Sequence, residues 1–97
     1  MIVRIDIEGR QGRSWDYRVT HEHEVLYEDA ALSSIAEALA SAVEGMPPDV
    51  VAAEIALRGV VSGTYPLPVI AMNHEQVAVH AVNTTAAVEE ASGLSSD

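Results

Sequence analysis

The sequence predicts an α+β fold: one small domain of order β-β-α-β-β-β, with an antiparallel or mixed sheet and one main helix packed on one face. Three observations favour this class. Two N-terminal runs alternate apolar and polar residues, which is typical of strands with one buried side. Residues 30–44 repeat apolar residues at steps of three and four, as on the buried side of a helix. The later runs are rich in valine, which favours strands.

The first two predicted strands form a hairpin. Val3, Ile5 and Ile7 alternate with charged residues, so they predict a strand with one buried face. A glycine-containing loop over 9–13 joins this strand to a second one, predicted to run from residue 15 to residue 27.

The main helix is predicted to run from Ala30 to Glu44. Asp29 precedes it, with a carboxylate suited to accept hydrogen bonds from the free N–H groups of the first turn. Gly45 suits a left-handed residue after the last turn, and Pro47 and Pro48 cannot continue a helix.

The segment that follows is predicted to be mainly strands. Residues 50–61 also allow a helix, since Glu54 and Arg58 stand four apart, but the β-branched residues favour a strand. The predicted elements of this half are strands at 50–61, 68–72 and 76–83, turns at 63–66 and 73–75, and a short helix at 85–92. The domain is predicted to cover residues 1–92, with a disordered polar tail over 93–97.

Charge limits the partners that this chain can bind. Fifteen acidic and five basic residues among 97 give a net charge of −10. That charge opposes direct binding to nucleic acid and to an anionic membrane surface, and it permits a basic protein partner. No apolar run reaches the ~18 residues of a membrane span, and no signal peptide is recognisable, so a cytoplasmic location is expected. The chain has no cysteine, which excludes disulfides and thiolate metal ligands.

An acidic strip on the first hairpin is the predicted partner-binding surface. Its residues are Asp6, Glu8, Asp16, Glu22, Glu24 and Glu28. The alternative is an ordinary solvated face, since hairpins of this kind alternate by default. No glycine-rich nucleotide loop or serine hydrolase motif is present. We therefore expect a non-catalytic protein-interaction module without a cofactor, such as an inhibitor, immunity or accessory protein of bacterial or phage type.

The alternative function is a metal binder or a small metal-dependent enzyme. His21 and His23 lie two apart, so on a strand they would point to the same side and could hold one divalent metal. His80 or Glu28 would supply a third ligand. Without a converging third ligand, these histidines are ordinary hairpin residues.

A homodimer is also expected. The predicted strands at 50–61 and 76–83 are apolar on both sides, and one strong helix covers only one face of a sheet. A second subunit would cover the rest.

Overall fold

The computed structural model describes residues 1–10 and 14–96, and it confirms an α+β domain with a mixed sheet. Residues 11–13 of the predicted first loop lie outside the described residues. The elements along the chain are β1 (Ile2–Arg10), β2 (Ser14–His21), β3 (Glu24–Leu32), α1 (Ile35–Glu44), β4 (Ala52–Leu57), β5 (Val60–Pro66), α2 (Leu67–Met72) and α3 (His74–Ser96). The observed order is therefore β-β-β-α-β-β-α-α, which corrects the predicted β-β-α-β-β-β.

In the described residues, one five-stranded sheet has the order β3-β2-β1-β4-β5. β1 lies at its centre, antiparallel to β2 and parallel to β4. The parallel pairing follows from the connection, because α1 carries the chain back across the sheet before β4 begins. The outer pairs, β2 with β3 and β4 with β5, are antiparallel hairpins.

One face of the sheet and the three helices build the core. The inward residues of β1 are at most 2% exposed, as their alternation predicts. The other side chains of this cluster include Val19, Ala53, Ile55 and Leu57 from the sheet and Leu39, Ile70, Val77 and Ala81 from the helices. All three helices therefore cover the same face, and the packing of helix on sheet is confirmed. No described helix covers the second face of the sheet.

The predicted second strand, 15–27, is in fact two strands. Glu22 and His23 form a two-residue turn with φ of 52° and 72°, and β3 then runs back along β2. Such turns usually carry Asn or Gly because both residues have positive φ. This turn has neither residue type, and the alternation continues through it, so the sequence pattern shows no break.

The helix predicted from Ala30 begins instead at Ile35, because residues 30–32 belong to β3. Ser34 caps it: the Ser34 hydroxyl accepts a hydrogen bond from the Glu37 backbone N–H at 3.0 Å. The Glu37 carboxylate accepts from the Ser33 backbone N–H at 3.2 Å. Two free donors near the start of the helix are thereby satisfied by side chains of the same turn.

The helix ends at Glu44 as predicted. The left-handed conformation predicted for Gly45 is wrong, because its φ is −87°. A Cβ atom at this position would lie 3.2 Å from Cε2 of Tyr27. A larger residue here would have to displace the tyrosine ring of β3 slightly, so glycine suits this close approach.

The preference for strand over helix at 50–61 is confirmed, with one change. Arg58 and Gly59 form a tight turn, so the segment is a hairpin of β4 and β5. The turn predicted at 63–66 is wrong, because those residues continue β5.

The strands predicted at 68–72 and 76–83 are wrong, because these residues form α2 and most of the first half of α3. The α3 residues Val77, Ala78, Ala81 and Thr85 are buried, at the spacing of one helix face. Tertiary packing here overrides the strand preference of valine. Of the turn predicted at 73–75, only Asn73 lies outside a helix, between α2 and α3. The helix predicted at 85–92 is part of α3.

The end of the chain leaves one prediction open. α3 is described to Ser96, and Asp97 lies outside the described residues. The disordered tail expected at 93–97 stays a prediction.

Candidate binding surface

The sheet face opposite the helices is charged. On β1, Arg4, Asp6 and Glu8 alternate with the buried residues and so point away from the core. Their register neighbours on this face include Asp16, Arg18 and Thr20 of β2, Glu28 of β3 and Glu54 of β4. The side chains that form ion pairs here are 28–58% exposed, so the surface is accessible to a partner.

Ion pairs connect the strands across this face. Arg18 lies directly between Asp6 and Glu28 in the register, and its Nε is 2.9 Å from Oε2 of Glu28. Arg4 Nε is 2.8 Å from Oδ1 of Asp6, and Arg4 Nη1 is 3.5 Å from Oε1 of Glu54. Arg4 and Asp6 are neighbours on β1 itself. Opposite charges face each other across strands at Glu54 and Arg4 and in the row Asp6, Arg18 and Glu28, which stabilises those strand pairs.

Four of the six acids predicted to bind a partner line one depression on this face. They are Asp6, Glu8, Asp16 and Glu28, together with Tyr17, Arg18, Asp29 and Ala30. Among the described residues that line this depression, five carboxylates surround the guanidinium group of Arg18. The alternation in the sequence predicts that these acids share one face of the sheet. The strand register then places them around one depression.

Asp29 is a site residue that the sequence analysis assigned to another role. It was expected to cap the main helix, but it lies on β3 opposite Tyr17. Its Oδ1 accepts a hydrogen bond from the backbone N–H of Ala30 at 2.8 Å. Because the turn at 22–23 was not recognised, no sequence signal placed Asp29 on a strand.

The remaining two predicted acids, Glu22 and Glu24, lie elsewhere. Glu22 lines a second depression, which also includes Arg4, Glu54 and His21. Glu24 begins β3, opposite His21. The sequence analysis did not identify Glu54 as a residue of this face, because its position beside Arg4 depends on the parallel pairing of β1 with β4.

Glu8 and Asp16 are an unfavourable pair. They lie directly opposite each other on antiparallel β1 and β2. Asp16 Oδ1 accepts a hydrogen bond from the backbone N–H of Ala31 at 3.2 Å. Like charges directly opposite each other on neighbouring strands are unfavourable.

The structure does not bring the three predicted metal ligands together. His23 is in the turn rather than on a strand, so the argument that His21 and His23 share a side no longer applies. Both line the second depression, whereas His80 lines another one on α3 with Glu75. Among the described residues, no group of three or more His, Cys, Asp or Glu side chains is arranged to hold a metal ion.

Comparisons with protein-family models, curated proteins and solved structures find no match to this chain. Within the described part of the chain, none of the helices has the length and apolar character needed to cross a membrane.

Proposed function

We propose that this protein is a non-catalytic interaction module, and that the open sheet face binds a basic surface of a protein partner. The observation that carries this proposal is the depression lined by Asp6, Glu8, Asp16 and Glu28. A partner with lysine or arginine side chains would complement this charge, which favours fast association and correct orientation. Binding to a partner through a charged surface is the mode of action that we expect of an inhibitor, immunity or accessory protein.

The arrangement of the charges supports a binding surface more than a uniform acidic coat. Arg4 and Arg18 are held by ion pairs within the face, so they order the neighbouring carboxylates. Glu8 lies directly opposite Asp16 in the register, so two carboxylates meet at one end of the face. A cationic side chain of a partner would be attracted to both.

The test measures binding of an oligolysine peptide by isothermal titration calorimetry at low salt. A face variant carries Asp6→Asn, Glu8→Gln, Asp16→Asn and Glu28→Gln. A matched control carries Glu44→Gln, Asp49→Asn, Glu75→Gln and Glu90→Gln, which removes the same charge from outside this face. We expect the face variant to bind about tenfold more weakly than the control, a difference of about 1.4 kcal/mol.

Equal affinities of the two variants would contradict the proposal, because net charge alone would then explain binding. Circular dichroism of both variants verifies that each is folded. A second titration at high salt should bring wild type and face variant together, since exposed charges are screened.

We further propose that the protein self-associates through its helical side. Val79 and Val82 of α3 are 59% and 41% exposed, and they line a shallow groove with Ile35 and Ala36 of α1. Among the described residues that line this groove, Glu75 alone is charged. A second copy of so acidic a chain meets least repulsion at such a surface.

Light scattering tests self-association on wild type and on Val79→Asp/Val82→Asp. We expect a dimer for the wild type and a monomer for the variant. Val61→Asp on β5, at a residue 43% exposed, is the control and should leave the dimer intact. A monomeric wild type at micromolar concentration would overturn this second proposal.

A further inference from the structure

The outer edge of β3 has no neighbouring strand within the described residues, because β3 is the first strand of the sheet order. An edge strand presents backbone N–H and C=O groups that can pair with another chain. Val25 and Leu26 are 47% and 36% exposed on this strand. The edge therefore offers apolar contact beside unpaired backbone.

A row of charged neighbours runs across the sheet to this edge, and its last residue, Glu28, is negative. Asp6, Arg18 and Glu28 are consecutive neighbours across β1, β2 and β3. Their signs alternate, and opposite charges directly across a strand pair are stabilising. The position beyond Glu28, on a strand added to β3, is therefore suited to a lysine or arginine.

A second copy of this chain fits the same edge less well than a cationic segment does. From Glu22 to Asp29, every formally charged residue is acidic. An antiparallel pairing of two β3 strands centred on Leu26 would place Glu24 of each opposite Glu28 of the other. Like charges directly opposite are destabilising, so the edge favours a cationic segment over self-pairing.

The far end of β3 is closed to strand addition. The Ala30 backbone N–H is bonded to the Asp29 carboxylate, and the Ala31 backbone N–H to the Asp16 carboxylate. Ala31 has φ of 64°, so the backbone leaves the extended conformation there. The remaining part of the edge is Glu24–Glu28, about the length of an ordinary short strand. It contains a register shift against β2 at Leu26, between the pair of Thr20 with Val25 and the pair of Val19 with Tyr27.

We propose that Glu24–Glu28 binds an extended, lysine- or arginine-bearing segment of a protein partner as an added strand, with a cationic side chain opposite Glu28. This inference rests on the proposed function, and it specifies the conformation in which the basic partner binds. Backbone hydrogen bonds along the edge hold the segment, and the charge opposite Glu28 fixes its register.

The test uses two short peptides of alternating lysine and threonine, one unmodified and one N-methylated at alternate residues. N-methylation removes backbone donors and keeps the charge. Removing these backbone hydrogen bonds should weaken binding by tenfold or more in fluorescence anisotropy. Equal binding of the two peptides overturns the inference.

A second measurement locates the contact. Hydrogen exchange of the Glu24–Glu28 amides should slow when the unmodified peptide binds, while the amides of the opposite edge strand β5 remain unchanged. Glu28→Gln should weaken binding several-fold, and Glu90→Gln on α3 should not. Unchanged exchange in β3, or equal effects of the two substitutions, would overturn the inference.

The two proposals fail in different ways. If both peptides bind equally and the face variant described above loses binding, the sheet face binds cations but β3 does not add a strand. If the face variant binds the unmodified peptide as well as its matched control does, the proposed function itself is wrong.

Discussion

The Thr85 hydroxyl donates a hydrogen bond to the backbone carbonyl of Leu57 across 3.3 Å, which ties α3 to the end of β4 inside the core. Thr85 is 1% exposed and Leu57 is fully buried. A buried polar side chain of this kind is stabilising only while its partner is present.

Replacing Thr85 with Val should therefore lower the free energy of unfolding by about 1–2 kcal/mol, because the shape is kept and the hydrogen bond is lost. Urea denaturation measures the change. Thr84→Val, the same substitution one position earlier in the same helix at a partly exposed site, should cost less. Equal costs would mean that the hydrogen bond contributes nothing.

Tyr27 should make stability depend on alkaline pH. Its hydroxyl donates to the Ala42 carbonyl, and burial, followed by the charge of nearby Tyr17, raises the Tyr27 pKa from 10.0 to about 12. A raised pKa in the folded state stabilises the protein below pH 10. That contribution should be lost between pH 10 and about pH 12.

The difference in stability between wild type and Tyr27→Phe should therefore shrink over this pH range. Denaturation at several pH values measures it, and Tyr65→Phe is the control. A near-ultraviolet absorbance titration of the wild type should show an ionisation near pH 12 that is absent from Tyr27→Phe. A titration curve in this range that Tyr27→Phe leaves unchanged would contradict the assignment.

Substitutions in the turn at Glu22 and His23 should raise the stability of the protein. Both residues have positive φ, which costs roughly 1 kcal/mol for an ordinary side chain. Glu22→Asn/His23→Gly supplies the residues that this turn prefers, so the melting temperature should rise. The control, His74→Gly/Glu75→Asn, changes the same residue types at the start of α3 and should lower it.

The opposition of Glu8 and Asp16 predicts a salt-dependent effect. Glu8→Gln should stabilise the protein by a few tenths of a kcal/mol at low salt, and the gain should fall as salt is added. Glu90→Gln removes the same charge from α3 and should have a smaller effect. Thermal melts over a range of sodium chloride concentrations measure both variants. A gain for Glu8→Gln that is independent of salt would exclude charge repulsion as its cause.

Metal ions test the alternative function. Zinc or nickel should shift the melting temperature of wild type and of His21→Ala/His23→Ala by the same amount, because His80 lines a different depression and does not supply the third ligand. A shift of several degrees that is present only in the wild type would instead indicate a site, since a ligand bound to the folded state stabilises it. His80→Ala would then show whether α3 contributes to that site.

The local sequence pattern predicted correctly those helices and strands whose apolar spacing fits only one type of secondary structure. Val3, Ile5 and Ile7 predicted β1 correctly, and the end of α1 near Gly45 followed from the prolines after it. The segment after α1 was correctly preferred as strand, although its hairpin turn was missed. Local sequence also put the acids of β1 and β2 on one face.

Long-range contacts decided the rest. The valine-rich residues 76–83 pack as helix because the sheet offers one face to cover, and Val77 and Ala81 reach it only with helical spacing. The turn at Glu22 forms because β3 pairs with β2, which outweighs the cost of positive φ. By itself the sequence determined the α+β class, the half-buried N-terminal strands and the strongly acidic charge. The neighbours of each charge, and hence the depression and the open edge, were decided by strand register, which depends on residues far apart in the chain.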